Sequence, residues 1–154
     1  MRPNGRTSLR DAIDRIETRQ SDFDAFLSAQ LNIGDKAVFR TDASGNVISN
    51  NRQHQRLTGF SVGEVEGGGW INVIHPKWRT CIHDKWAAAV KEGREFSEDI
   101  MYVTPEGEEY MVHVNAYREI DSNGDIRGFL GVVTPHKDGR VHCPHMDRCQ
   151  VAQD

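Results

Sequence analysis

Histidine and cysteine gather at one end of this 154-residue chain. His136, His142, Cys143, His145 and Cys149 sit in its last stretch, around the run His-Cys-Pro-His-Met-Asp-Arg-Cys. Imidazole and thiolate are good Zn²⁺ ligands, and His142, Cys143, His145 and Cys149 together have the donors for a small tetrahedral site. The Cys-x5-Cys spacing is not that of a zinc knuckle, Pro144 stiffens the segment, and adjacent His142 and Cys143 rarely reach one ion. A floppy tail, or a Cys143–Cys149 bridge under oxidation, accounts for the same residues. The expectation is therefore a tail that holds metal weakly or not at all. Elsewhere the chemistry is sparse. There is no Gly-x-Ser-x-Gly elbow, no phosphate-cradling loop ending in Lys-Ser/Thr, and no His-Glu-x-x-His. Gly67-Gly68-Gly69 runs into Trp70 and reads as a bend, and Glu106, Glu108 and Glu109 fall in a solvated turn rather than facing a shared substrate. No catalytic set is expected, and no enzyme.

Bulk properties narrow the partners. With 37% hydrophobic and 27% charged residues the chain suits one core with polar extensions. A net charge of −4 and a pI near 6.0 offer no field to recruit nucleic acid or an anionic membrane. No apolar run approaches the ~20 residues of a bilayer span. The basic N-terminus lacks the apolar segment of a secretory signal. Three cysteines make no disulfide framework. A cytoplasmic protein with reduced thiols is expected.

The elements follow from local pattern. Ser8, with Asp11 three residues on, predicts a helix start, and the helix runs to about Leu31. Leu9, Ile13, Ile16, Gln20, Phe23 and Leu27 recur at spacings of 4 and 3, a narrow a/d seam with one polar intruder at Gln20. Such a seam suits one partner helix, so these six residues are the expected homodimer interface; folding back on the chain's own sheet through Phe23, Phe26 and Leu27 is the alternative. Residues 37–42 and a second run from Val47 read as strands joined by the Ser44-Gly45-Asn46 turn. Asn50 or Asn51 caps a short helix from Arg52, Gly59 stops it, and Ser61 with Glu64 forms a capping box. Lys77 to Glu92 carries a 3/4-spaced apolar stripe and ends at Gly93. Three strands follow, Phe96–Thr104, Glu108–Ile120 and Asp125–Thr134, with Asp121-Ser122-Asn123-Gly124 as a hairpin turn. Tyr110, Val112, Val114 and Ala116 share one strand face, expected to meet the helices; Met111, His113, Asn115 and Tyr117 share the other, expected to be wetter.

The ordered residues Asp42, Gly45, Asn50, Leu57-Thr58-Gly59-Phe60-Ser61, Glu64, Gly67, Trp70, His75-Pro76, Arg79, Trp86, Gly93, Phe96, Glu106-Gly107, Gly124 and Gly128-Phe129-Leu130-Gly131-Val132-Val133-Thr134 resemble the PAS sensor domains, in particular a bacterial-type sensory box with Trp and His-Pro before the long helix. The resemblance implies an α+β fold: a five-stranded antiparallel sheet with helices on one face, here preceded by the N-terminal amphipathic helix. Residues 1–34 are then a helical extension, 35–135 the sensor domain, and 136–154 a separate tail.

It also implies a cleft between sheet and helices, sometimes filled by haem, flavin or a metabolite. Haem-binding relatives carry a His on the long helix, where His83 lies. The flavin photoreceptors carry a reactive Cys where Trp70 stands here, so photochemistry of that kind is not expected, and the cofactor is left unassigned. The expected cavity wall is Phe39, Leu57, Phe60, Trp70, Ile74, Tyr102, Val112, Phe129 and Val133, with Thr41, Asn50 and Tyr102 as polar groups and Gly131 leaving room at the floor. The same side chains can simply fill the core. Two functions are thus open: a sensory module that binds a small molecule and signals through dimerisation and a partner protein, or a ligand-free interaction and dimerisation module.

Overall fold

The structure, a computed structural model, describes residues 8–136; the candidate ligands His142, Cys143, His145 and Cys149 lie outside them. The chain separates into two compact units, 1–34 and 35–154.

The described residues of the first unit form one helix, α1 (Leu9–Ile33). Ser8 starts it, its hydroxyl oxygen accepting from the Asp11 N–H at 3.1 Å, which satisfies one of the otherwise unpaired first-turn donors. Along the seam Leu9 is 78% exposed, Ile13 44% and Ile16 63%. Leu27 is half-buried. The side chains of Gln20 and Phe23 lie outside the described residues.

The second unit is an α+β fold. Its elements are β1 (Ala37–Asp42), β2 (Val47–Asn50), α2 (Arg52–Thr58), α3 (Val62–Val65), 3₁₀ turns at Gly69–Val73 and Pro76–Trp78, α4 (Arg79–Glu92), β3 (Phe96–Val103), β4 (Glu109–Ile120) and β5 (Ile126–Pro135). The strands form one antiparallel sheet in the order β2-β1-β5-β4-β3, so the last strand among the described residues lies at its centre. Short-range chemistry sets the corners. Asp42 Oδ1 accepts from the N–H groups of Ser44 and Asn46, and Gly45 takes φ +87°. Asp121 repeats the arrangement in the last hairpin, accepting from Asn123 and Asp125 beside Gly124. Both are Asx-type turns closed by a glycine in the left-handed region, which L side chains rarely adopt. Ser61 and Glu64 make the reciprocal capping box on α3. His75 caps the Pro76–Trp78 turn, its Nδ1 accepting from the Lys77 N–H, so the regular helix starts at Arg79 rather than Lys77.

Between β2 and α2, Asn51 rather than Asn50 is the cap. Its Oδ1 accepts from the His54 N–H (3.0 Å) and from the Val38 N–H (2.9 Å), and its Nδ2 donates to the Lys36 carbonyl (2.8 Å). One buried amide thereby pins the start of α2 to β1.

The core between the helices and the sheet centres on Phe129, Val112, Ala116 and Val133 with Trp78, Ile82 and Ala89, all 2% exposed or less. Burying each large apolar side chain stabilises by about 2–3 kcal/mol. Two expectations need correction. Met111 is on the sheet face expected to be wetter, yet it is 0% exposed, and Met101, directly opposite in register, is 2% exposed. Two flexible thioether side chains facing each other across β3 and β4 make that part of the second face dry. Gly131 leaves no gap either. The β1–β5 register sets Phe39 opposite it, and a Cβ at Gly131 would lie 2.1 Å from Phe39 Cζ. The aromatic ring occupies the place of the missing side chain, the cross-strand cover that a glycine in a sheet permits.

Candidate ligand cavity

A partly open cavity of about 50 Å³ remains between the sheet and the helices. The sheet contributes Phe39 and Thr41 from β1, Val47 from β2, Phe96, Ile100 and Tyr102 from β3, and Val114 from β4. The helical side contributes His54 of α2, Val65 of α3, Trp70, Val73 and Ile74, and Ile82 and Trp86 of α4, with Gly45 at the first turn. No carboxylate, ammonium or guanidinium is among these residues.

Each wall residue is held by packing that sequence spacing alone does not show. Trp86 donates from Nε1 to the Gly45 carbonyl at 3.1 Å, strapping α4 to the β1–β2 turn. Its ring meets Phe96 and Phe129 edge-on at centroid distances of 5.5 and 5.1 Å, a favourable aromatic geometry. Thr41 is tied to the backbone: its Oγ1 donates to the Asp42 carbonyl and accepts from the Phe129 N–H. Tyr102 is fully buried, and burial first, then the neighbouring Tyr110, pushes its phenol well above the ordinary range. It stays a neutral phenol.

His54 is the unusual member. It is 2% exposed, its ring centroid lies 5.7 Å from that of Phe39, and its buried Nδ1 has no hydrogen-bond partner. Burial lowers its pKa from 6.5 to about 4, because the imidazolium would lose its hydration. At neutral pH the wall therefore presents an uncharged imidazole.

Of the residues expected here, Phe39, Thr41, Trp70, Ile74 and Tyr102 do line the cavity. Val112, Phe129 and Val133 are buried elsewhere in the core, and Leu57 and Phe60 pack against it. Asn50 is not in the wall: its Oδ1 accepts from Gln55 Nε2 and its buried Nδ2 lacks a partner. Gly131 lies under the Phe39 ring. His54 was missed because the segment Arg-Gln-His-Gln-Arg carries no apolar signal. Trp86 and Ile82 were legible only as parts of a helical stripe.

A haem or flavin does not fit. Pockets for such groups run to several hundred Å³, far above the space present. His83 is 62% exposed at its side chain, sits 3.6 Å from Asp84 and stacks on Trp70, and it is not in the wall. Cys81 is buried and is not in the wall either. Among the described residues no group of three or more His, Cys, Asp or Glu is arranged to hold a metal ion.

The second sheet face carries a polar cluster. Asp99 Oδ1 is 3.0 Å from both His113 Nδ1 and His136 Nε2, and His113 Nε2 reaches Ser97 Oγ at 2.9 Å. Desolvation pushes the Asp99 carboxyl upward, but the hydrogen bonds from His113 and His136 outweigh it and hold the group below its usual value. Farther along β4, Glu119 accepts both Nε–H and an Nη2–H of Arg40 at 2.8 Å, a bidentate pair. No helix among the described residues is long and apolar enough to cross a membrane.

The solved structures that resemble this chain share its fold at low identity. A PAS domain of a protein from Colwellia psychrerythraea superposes with a TM-score of 0.62 at 18% identity, covering 74% of this chain and 97% of that one. A light-oxygen-voltage domain studied with a flavin analogue gives 0.59 at 17%, covering 77% and 87%. An RNA-binding light-oxygen-voltage receptor gives 0.60 at 16%, covering 87% of this chain but 36% of that receptor. No curated protein matches. The family model for the PAS domain matches residues 35–134, the whole sheet and the helices that close the cavity, and the chain belongs to the PAS domain family.

Proposed function

We propose that this PAS domain is a sensory and signalling module that reads occupancy of its cavity and reports it through a homodimer formed by α1. The observation that supports it is the apolar-lined cavity between the sheet and the helices. A void of that size forfeits dispersion contacts, and filling it with a fitting molecule restores them. The wall is built from both layers, from β1 to β4 and from α2 to α4. A change in occupancy therefore bears on the sheet and the helices together. The dimer rests on Leu9, Ile13 and Ile16, exposed at coiled-coil spacing. The output is a contact with a signalling partner, on another protein or on a further segment of a longer chain.

Native mass spectrometry of the protein purified without denaturation tests the ligand: a bound small mass that disappears on unfolding supports sensing. No bound mass, and no rise in melting temperature with any small apolar compound, would favour the ligand-free interaction module. Light scattering tests the dimer. The full chain is expected to be dimeric and a version lacking residues 1–34 a folded monomer; a truncated protein that stays dimeric refutes the α1 interface.

A further inference from the structure

We infer that the occupant of the cavity is a small uncharged molecule of about two to four non-hydrogen atoms, with one polar group that hydrogen-bonds His54 Nδ1 and an apolar remainder against Phe39, Trp70, Ile82 and Trp86. This rests on the cavity being a ligand site. Size sets the first limit, because about 50 Å³ is well below the roughly 150 Å³ of an engineered cavity that takes benzene. Charge sets the second. No charged side chain lines the wall, and an unpaired ion brought into such a site would lose its hydration without compensation. A carboxylate, phosphate or ammonium ligand is excluded on that ground.

Polarity sets the third. A buried polar atom without a partner costs stability and is rare in folded proteins. His54 Nδ1 is such an atom, on a side chain 2% exposed that forms part of the wall. The Thr41 hydroxyl has no hydrogen left to offer a ligand, since it donates to the Asp42 carbonyl while accepting from the Phe129 N–H. The polar group of the guest is thus matched to imidazole. An alcohol donates to Nδ1 when the proton is on Nε2, and a ketone or amide accepts from it when the proton is on Nδ1.

The test uses the full chain, ¹⁵N-labelled, titrated separately with 2-propanol, acetone, acetate and xenon. Acetate is the charged analogue of acetone in shape, and xenon is an apolar filler without hydrogen bonds. Saturable binding of 2-propanol or acetone is expected, with a change in the His54 Nδ1 resonance in long-range ¹H–¹⁵N spectra, and no saturable binding of acetate. In His54→Leu the affinity for the polar probe should fall at least tenfold while xenon still enters, and His54→Gln should recover part of it. The Nδ1 resonance of the unaltered protein is the readout that does not depend on His54→Leu folding. Polar probes that saturate without moving that resonance, an unchanged affinity in His54→Leu, or acetate binding as well as acetone would each overturn the inference. Xenon binding with no polar selectivity would overturn it and leave the cavity reading standing. If no probe saturates, xenon included, the cavity reading itself fails and the inference with it.

Discussion

Between about pH 6.5 and pH 4, acid should weaken this protein through His54. His54 is neutral in the folded state down to about pH 4, whereas an unfolded chain protonates it near pH 6.5. Between those values the unfolded state binds a proton that the native state does not. Linkage then makes unfolding easier as pH falls. The contribution is fully present above pH 6.5, declines through that window, and is lost by pH 4. A difference of about 2.5 units amounts to roughly 3 kcal/mol once complete, of which about 2 kcal/mol is gone by pH 5. In urea, with an m-value of about 2 kcal/mol/M, that moves the midpoint down by about 1 M between pH 7 and pH 5. The control is His54→Gln, which keeps a polar side chain but does not titrate. It should be less stable at pH 7 and should lose little between pH 7 and pH 5. Subtracting the two pH profiles removes contributions common to both. Parallel profiles for the two proteins would refute the assignment of a buried, neutral His54.

Three further outcomes follow from particular contacts. Gly131→Ala has no left-handed backbone to contend with, yet its Cβ meets the Phe39 ring; denaturant titration should show a loss of about 1–3 kcal/mol from overpacking, largely relieved in the double variant with Phe39→Leu. Asn51→Ala leaves the Val38 and His54 N–H groups and the Lys36 carbonyl without their side-chain partner, and should cost about 2–4 kcal/mol by the same measurement. Gly45→Ala combines φ +87° with a Cβ placed 2.8 Å from Trp86 Nε1 and Val90 Cγ2. It should lower the melting temperature by several degrees and alter the Trp86 fluorescence as its bond to the Gly45 carbonyl is disturbed.

The amino-acid sequence by itself determined the elements and their corners. The Asp-x-x-Gly turns at Asp42 and Asp121, the capping box at Ser61 and Glu64, and the glycine stops at Gly59 and Gly93 are decided by atoms within about four residues of one another. The order of these signals, with His-Pro and the Gly-rich last strand, sufficed for the PAS resemblance and the five-stranded fold. The site was legible only in part. Strand alternation placed Phe39 and Tyr102 in the wall, and the PAS resemblance added Trp70 and Ile74. The sheet register alone set the Phe39 ring on Gly131, two positions far apart in the chain, and so closed the gap that a glycine in isolation implies. Tertiary packing alone buried His54, whose neighbours Gln53 and Gln55 read as solvated surface. Its environment comes from Phe39 and from the Asn51 cap that docks α2 onto β1. Local chemistry acts over a few bonds and survives in any context. A cavity is the space left after distant elements have packed, and its size and polarity exist only once they have.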